Sequence, residues 1–259
     1  MAQPWEGERL RCCDVQRLAP SASHAPVARG ARLLPMGEGR MTPDLTHIDV
    51  WLFDLDDTLY PPGAELMRLI EARMTDFVAR ETGLSRADAF ALQKRYLHEH
   101  GTTLAGLMAN HGIDPEAFLN EVHDVPIETL DPDPELDAAL ARLPGRKLVF
   151  TNGDAPHADR VLKRLGVARH FEAVFHIAAA DYLPKPNPAT FAKLTRDHAI
   201  DPRTAVFFED SERNLAPAAA IGMTTVLVGP HAAASTARFV HHRAPRLAPF
   251  LAAARTKET

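Results

Sequence analysis

The chain has 259 residues, 46% hydrophobic and 24% charged, with a formal net charge of −5. This length holds one large domain or a core with an inserted subdomain, and the composition is that of a soluble globular protein. The acidic balance gives no hint of the basic stripe of a nucleic-acid binder, and no apolar run approaches membrane-span length. Cys12 and Cys13 are adjacent, too close for an ordinary disulfide, which fits a reducing cytoplasm. Residues 1–45 mix Pro, Ala, Gly, Ser and Arg without a sustained period, and they lack the apolar centre of a signal peptide. Glu6, Glu8, Asp14 and Glu38 interrupt what could be an Arg-rich transit peptide. We read this stretch as a disordered tail, or a mis-assigned extension ahead of Met36 or Met41.

The run Ile48–Phe53 has the length and apolar content of a buried strand, and polar residues Asp54–Tyr60 follow it. From Gly63 to Val122 the period becomes helical. Leu66, Leu69, Ile70, Met74, Phe77 and Val78 share one face, which Gly83 ends, and Ser85 caps a second helix that stops near Gly101. Leu104–Met108 and the stretch after Asp114-Pro115 predict two shorter helices. Beyond Asp131-Pro132-Asp133-Pro134, helices alternate with strands at Lys147–Phe150, Ala173–His176, Ala205–Phe208 and Thr224–Val228, the last closing the sheet. Asn214 is a plausible cap for the second part of a helix interrupted by Pro217. The prediction is an α/β fold, a Rossmann-like parallel sheet flanked by helices. Residues 46–62 and 131–259 form its core, and residues 63–130 form an inserted helical subdomain.

Polar groups collect at four expected strand ends: Asp54 and Asp56; Thr151 and Asn152; Lys185 in its loop; Glu209 and Asp210. The carboxyl ends of parallel strands share one rim, so these groups converge although they are scattered in sequence. Buried carboxylates repel one another and must be paired, protonated or metal-bound, and Mg²⁺ takes oxygen ligands. Each piece has a plainer reading as a turn, a helix cap or a solvated lysine. Together they suit phosphoryl transfer, in which positioning and charge neutralisation do most of the work.

Asp54, Asp56 and Thr58, then Thr151, Lys185 and Asp210, follow the order of the haloacid dehalogenase superfamily, which the chain resembles from about Ile48 onward. The helical insert is similar to the cap domain of type 1 members. Tyr96–Leu107, Thr151-Asn152-Gly153 and Phe208–Asn214 further resemble the pyrimidine 5′-nucleotidase branch. The resemblance implies Asp54 as nucleophile, forming an aspartyl-phosphate, and Asp56 as general acid and base. It implies Mg²⁺ held by Asp54, Asp210 and the Asp56 carbonyl, with Glu209 nearby or acting through water. Thr151 and the Asn152 backbone would bind phosphate, and Lys185 would neutralise charge. Glu209 stands where many members have Gly or Asp, and Asn214 where many have an acid. Dehalogenases of the superfamily lack the second acid, so a phosphomonoesterase is preferred.

The implied substrate is a small phosphorylated metabolite, a pyrimidine nucleoside 5′-monophosphate first and a sugar or other metabolite phosphate as the alternative. A binding protein that has lost catalysis is a further alternative, against which every catalytic position is filled. Selectivity would come from Arg95, Tyr96, His100, Thr102 and Thr103, unless Tyr96 packs in the cap core and the others are solvated.

Overall fold

The computed structural model describes residues 42–257. Six strands form one sheet: β1 (Val50–Phe53), β2 (Arg146–Phe150), β3 (Ala173–Phe175), β4 (Ala205–Glu209), β5 (Thr224–Val228) and β6 (His242–Ala244). Their order is β3-β2-β1-β4-β5-β6, and every neighbouring pair is parallel. The β1 residues are all buried because the sheet is covered on both faces, which explains an unbroken apolar run instead of alternation. Trp51 and Phe53 join one core layer, and Val50 and Leu52 join the other. The same split recurs in β4, where Phe208 stacks on Phe53 with ring centroids 4.8 Å apart.

The sheet closes one strand later than expected. β6, His242-Arg243-Ala244, pairs with β5 and forms the edge. Only its Ala244 is buried, so the strand carries no apolar run to mark it in sequence. Pro43–Leu45, expected in the tail, pair with Arg255, and Leu45 is fully buried. The rest of that tail, residues 1–41, lies outside the described residues.

Four helices stand between β1 and β2: α1 (Leu66–Thr82), α2 (Arg86–His100), α3 (Thr103–His111) and α4 (Pro115–Val122), with α5 (Pro134–Arg142) leading into β2. Gly83 ends α1 in the left-handed region, at φ 69°, and donates to the Ala79 carbonyl. Ser85 accepts the Asp88 N–H at the start of α2, and Asp114 caps α4 ahead of Pro115. Phe77, Tyr96, Leu107, Phe118 and Val122 make the core of this helical region. A side chain at Gly106 would overlap the Tyr96 ring, its Cβ falling 2.3 Å from Cγ, so close packing of α2 on α3 requires glycine.

The remaining helices are α6 (Ala155–Leu165), α7 (Pro188–Asp197), α8 (Glu212–Ala220) and α9 (Leu247–Ala253). α8 runs through Pro217 without a break, and Asn214 lies buried inside it rather than capping a second segment. Proline there removes one bond near the helix start, while burial of Leu215 and Ala218 holds the helix against the sheet. Among the described residues no helix is long and apolar enough to cross a membrane. Strand order reverses direction around β1, which opens a crevice at the carboxyl ends of β1, β2 and β4.

Candidate active site

Sheet register sets the site. Phe53 pairs with Val149 and Phe208, so the residues that follow β1, β2 and β4 emerge at one level. Asp54 is fixed there by its own N–H, which donates to the Phe208 carbonyl at 2.9 Å. Asn152 brings in Lys185. Its side-chain oxygen accepts the Lys185 N–H at 2.8 Å, and its amide donates to the Lys185 carbonyl at 3.3 Å. The Asn152 side chain thus clamps the lysine loop.

Lys185 is 1% exposed, and its ammonium donates to Asp54 Oδ1 and Glu209 Oε2, both at 2.7 Å, and to the Phe150 carbonyl at 2.9 Å. Burial works against a charged lysine, but the two carboxylates outweigh it and hold the ammonium above its ordinary value. The Asp54, Glu209 and Asp210 carboxylates each bring an oxygen within 4.8 Å of the others. Burial pushes Asp54 up to about 8, the Glu209 charge adds to this, and Lys185 opposes it. Burial also raises Glu209. Asp210 lies at the exposed rim, but burial of its carboxyl and the Asp54 charge push it up to about 7. Three acids against one lysine leave excess negative charge that a dication with oxygen ligands would relieve, so these residues fit Mg²⁺.

Asp56 has a different environment. Its Oδ1 accepts from the Tyr60 hydroxyl at 2.6 Å and from His157 Nε2 at 2.8 Å. Burial alone would raise this acid, but His157 and the two bonds hold it at about 2. His157 itself is raised, since Asp56 outweighs its burial. The side chain of Asp56 therefore stands apart from the acid cluster of Asp54, Glu209 and Asp210. Asp57, left-handed at φ 58°, is pushed up to about 6 by burial and the neighbouring Asp56 and Asp54. Thr151 is buried, and its hydroxyl oxygen accepts the Gly153 N–H at 2.9 Å, leaving an O–H to donate.

A cavity of about 500 Å³ joins these groups to the helical region. Its far wall includes Met74 of α1, Gln93, Leu97 and His98 of α2, and Thr102 and Thr103 at the start of α3. Of the five residues expected to set selectivity, Thr102 and Thr103 line the cavity and Arg95, Tyr96 and His100 do not. The helical period explains the difference, because α2 turns positions 93, 94, 97 and 98 toward the cavity. Tyr96 is packed in the helical core with its hydroxyl 2.8 Å from His111 Nε2. Arg95 lies exposed beside the Tyr96 ring, and His100 meets Asn110 at 3.4 Å.

Sequence reasoning missed Tyr60 and His157. His157 does sit four residues before Val161 on the buried face of α6, so a polar residue on an apolar stripe was the available signal.

Residues 48–222 match the family model of haloacid dehalogenase-like hydrolases. The chain is 29% identical over 194 residues to Phosphate metabolism protein 8 of Saccharomyces cerevisiae, covering 69% of this chain and 60% of the yeast protein. It is 31% identical over 192 residues to the glyceraldehyde 3-phosphate phosphatase of Methanopyrus kandleri, covering 68% of this chain and 82% of that one. Among solved structures it is similar to the 2-haloacid dehalogenase of Pseudomonas syringae pv. Tomato DC3000. The TM-score is 0.52 and the identity 25%, with 80% of this chain and 98% of the other covered. The rim of acids around one buried lysine is thus carried by a chain that belongs to the haloacid dehalogenase-like hydrolases.

Proposed function

We propose that the protein is a phosphomonoesterase acting on a small phosphorylated metabolite through an aspartyl-phosphate at Asp54. The observation that carries this is the pair of unlike acids at one strand end. Asp54 lies against Lys185 in the acid cluster, whereas Asp56 is held apart by Tyr60 and His157. A nucleophile and a separate proton carrier are what phosphoester cleavage needs. A halide leaving group takes no proton, so a dehalogenase has no use for the second acid.

Asp54 attacks phosphorus, the P–O bond to the alcohol breaks, and the departing oxygen takes a proton from the Asp56 carboxyl. A phosphoryl dianion bound beside Asp56 raises its proton affinity, which favours the acid form at that step. Water then attacks the same phosphorus, its proton passes to Asp56, and the P–O bond to Asp54 breaks to release inorganic phosphate. Thr151 and the backbone N–H groups of the Asn152 loop would bind phosphoryl oxygens, with Lys185 neutralising charge. Asp54, Asp210 and the Asp56 carbonyl would hold Mg²⁺, with Glu209 beside them. When bound, the ion supplies charge neutralisation at the phosphoryl group.

A sugar phosphate or similar small metabolite phosphate is the preferred substrate class, supported by the 31% identical phosphatase of glyceraldehyde 3-phosphate. A pyrimidine nucleoside 5′-monophosphate is the second reading. It rests on the resemblance around Tyr96–Leu107 and on a cavity that extends past the residues expected to bind phosphate to Gln93, His98 and Thr102. The test is phosphate release from a panel of sugar phosphates, UMP and CMP with Mg²⁺, run beside halide release from 2-chloropropionate. Phosphate from one class and no halide is expected. Halide release without phosphate release would overturn the proposal.

A further inference from the structure

We infer that His157 is a positioning residue that aims the Asp56 carboxylate into the cavity, and that His123 and Asp154 seat its ring. The inference rests on the phosphatase reading and extends it to a residue outside the strand-end motifs. His157 lies on the first turn of α6, 1% exposed, with its Nε2 2.8 Å from Asp56 Oδ1. Ionised Asp56 can only accept, so Nε2 carries the proton. Among the described residues the other ring nitrogen, Nδ1, is buried and has no hydrogen-bond partner. A histidine kept only for packing has no need of this arrangement. A buried polar atom left unpaired costs free energy, and the one bond the ring makes goes to Asp56.

Both donors to Asp56, His157 and Tyr60, meet the same oxygen, Oδ1. The other oxygen, Oδ2, faces the Gly153 loop, lying 3.7 Å from where a Cβ on that glycine would sit. The loop also carries Thr151 and Asn152, so the free oxygen is turned toward the expected phosphate. Two bonds on one oxygen remove the rotation that would otherwise let the carboxylate wander. Holding a proton carrier within reach of its target is a large part of its effect.

The ring is seated from the far side. His123, in the turn after α4, stacks on it with centroids 4.3 Å apart and planes inclined by 13°. His123 Nδ1 lies 3.1 Å from Asp154 Oδ1, which also accepts the His157 backbone N–H at 2.9 Å. Arg160 donates to the His123 and Val125 carbonyls at 2.9 and 2.7 Å and fixes the turn against α6.

The test uses leaving-group chemistry, which a merely structural histidine would not sense. A primary-alkyl phosphate needs its leaving oxygen protonated, whereas para-nitrophenyl phosphate does not. His157→Asn is too short to reach Asp56, and His157→Gln places an amide N–H near the position of Nε2. For the Asn variant, kcat/KM on glyceraldehyde 3-phosphate, or on whichever alkyl phosphate the panel identifies, should fall by about 10²-fold. On para-nitrophenyl phosphate it should fall by less than about a tenth of that. The Gln variant should recover most of the loss. Tyr60→Phe, which removes the second donor, should shift the same ratio of substrates in the same direction and serves if the His157 variants do not fold. Equal losses on both substrates, no loss on either, or no recovery by Gln would overturn the inference. A wild-type protein that hydrolyses neither phosphate would instead show that the phosphatase reading has failed, and the inference would fall with it.

Discussion

At Asp54 the local electrostatics work against stability. Its carboxyl is pushed up to about 8 by burial and by Glu209, so in the metal-free protein this acid is crowded by charge of its own sign. Asp54→Asn should abolish phosphate release, because a neutral amide cannot attack phosphorus. The same change should raise the thermal midpoint measured in excess chelator, since it removes one of three clustered carboxylates. A variant with both normal turnover and an unchanged midpoint would remove Asp54 from its role. The pH dependence has an unusual sign for an acid. Asp54 and Asp210 have folded values, about 8 and about 7, above their ordinary unfolded ones. The folded state therefore binds more protons across that window. Stability from these groups is present below pH ~4 and is lost as pH rises toward 7 and 8. Metal-free protein should melt at lower temperature at pH 8 than at pH 6 on this account, and millimolar Mg²⁺ should flatten the slope because it binds the ionised acids. Melting curves at the two pH values, with and without the ion, check both halves.

At the scale of elements, β1 and β4 carry the core and present the acids at their ends. Phe208 stacks on Phe53, meets Phe250 edge-on and is fully buried. Phe208→Ala should cost about 3–5 kcal/mol, read from denaturant unfolding, because the sheet is packed on both sides of that position and cannot collapse into the gap. A cost below about 1 kcal/mol would contradict the packing described. These strands were legible in sequence for the same reason that they matter. Double burial demands an apolar run such as Val50-Trp51-Leu52-Phe53, and a parallel sheet leaves polar residues at its carboxyl rim. Asp54, Asp56, Thr151, Glu209 and Asp210 could be found this way, each at the end of a run, and Lys185 in the loop that follows a shorter one. β6 could not, since an edge strand with one buried alanine leaves no such trace. Nor could the aim of α2, because Tyr96 reads equally well as core or as substrate contact until the partners of its ring are known. His157 was hidden differently: its apolar-face spacing was visible, but its partner Asp56 lies 101 residues away.

Across the whole molecule, the helical region and the sheet meet at the loop that carries Lys185. Gly101 ends α2 at φ 87°, and a Cβ there would come within 3.2 Å of Pro184 Cγ and 3.3 Å of the Lys185 carbonyl. Arg213, from α8, donates to the Leu97 and Gly101 carbonyls at 3.0 and 2.8 Å, satisfying acceptors at the C-terminal end of α2. The end of α2 is therefore pinned from both sides, by backbone contact with the lysine loop and by an arginine reaching up from the core. Gly101→Val adds bulk where the neighbour is backbone and demands a φ that a β-branched residue avoids. The lysine loop must shift, and with it the ammonium that binds Asp54 at 2.7 Å. Arg213→Ala removes only exposed hydrogen bonds and leaves the loop where it is. Gly101→Val should lower kcat by about 10²-fold, the scale on which displacing a reacting group by about 1 Å acts. Arg213→Ala should chiefly raise KM, because it loosens a wall of the cavity without moving the reacting groups. Measuring kcat and KM for both variants on one phosphate ester separates the two effects. If both variants change only KM, the junction shapes the cavity and does not place Lys185.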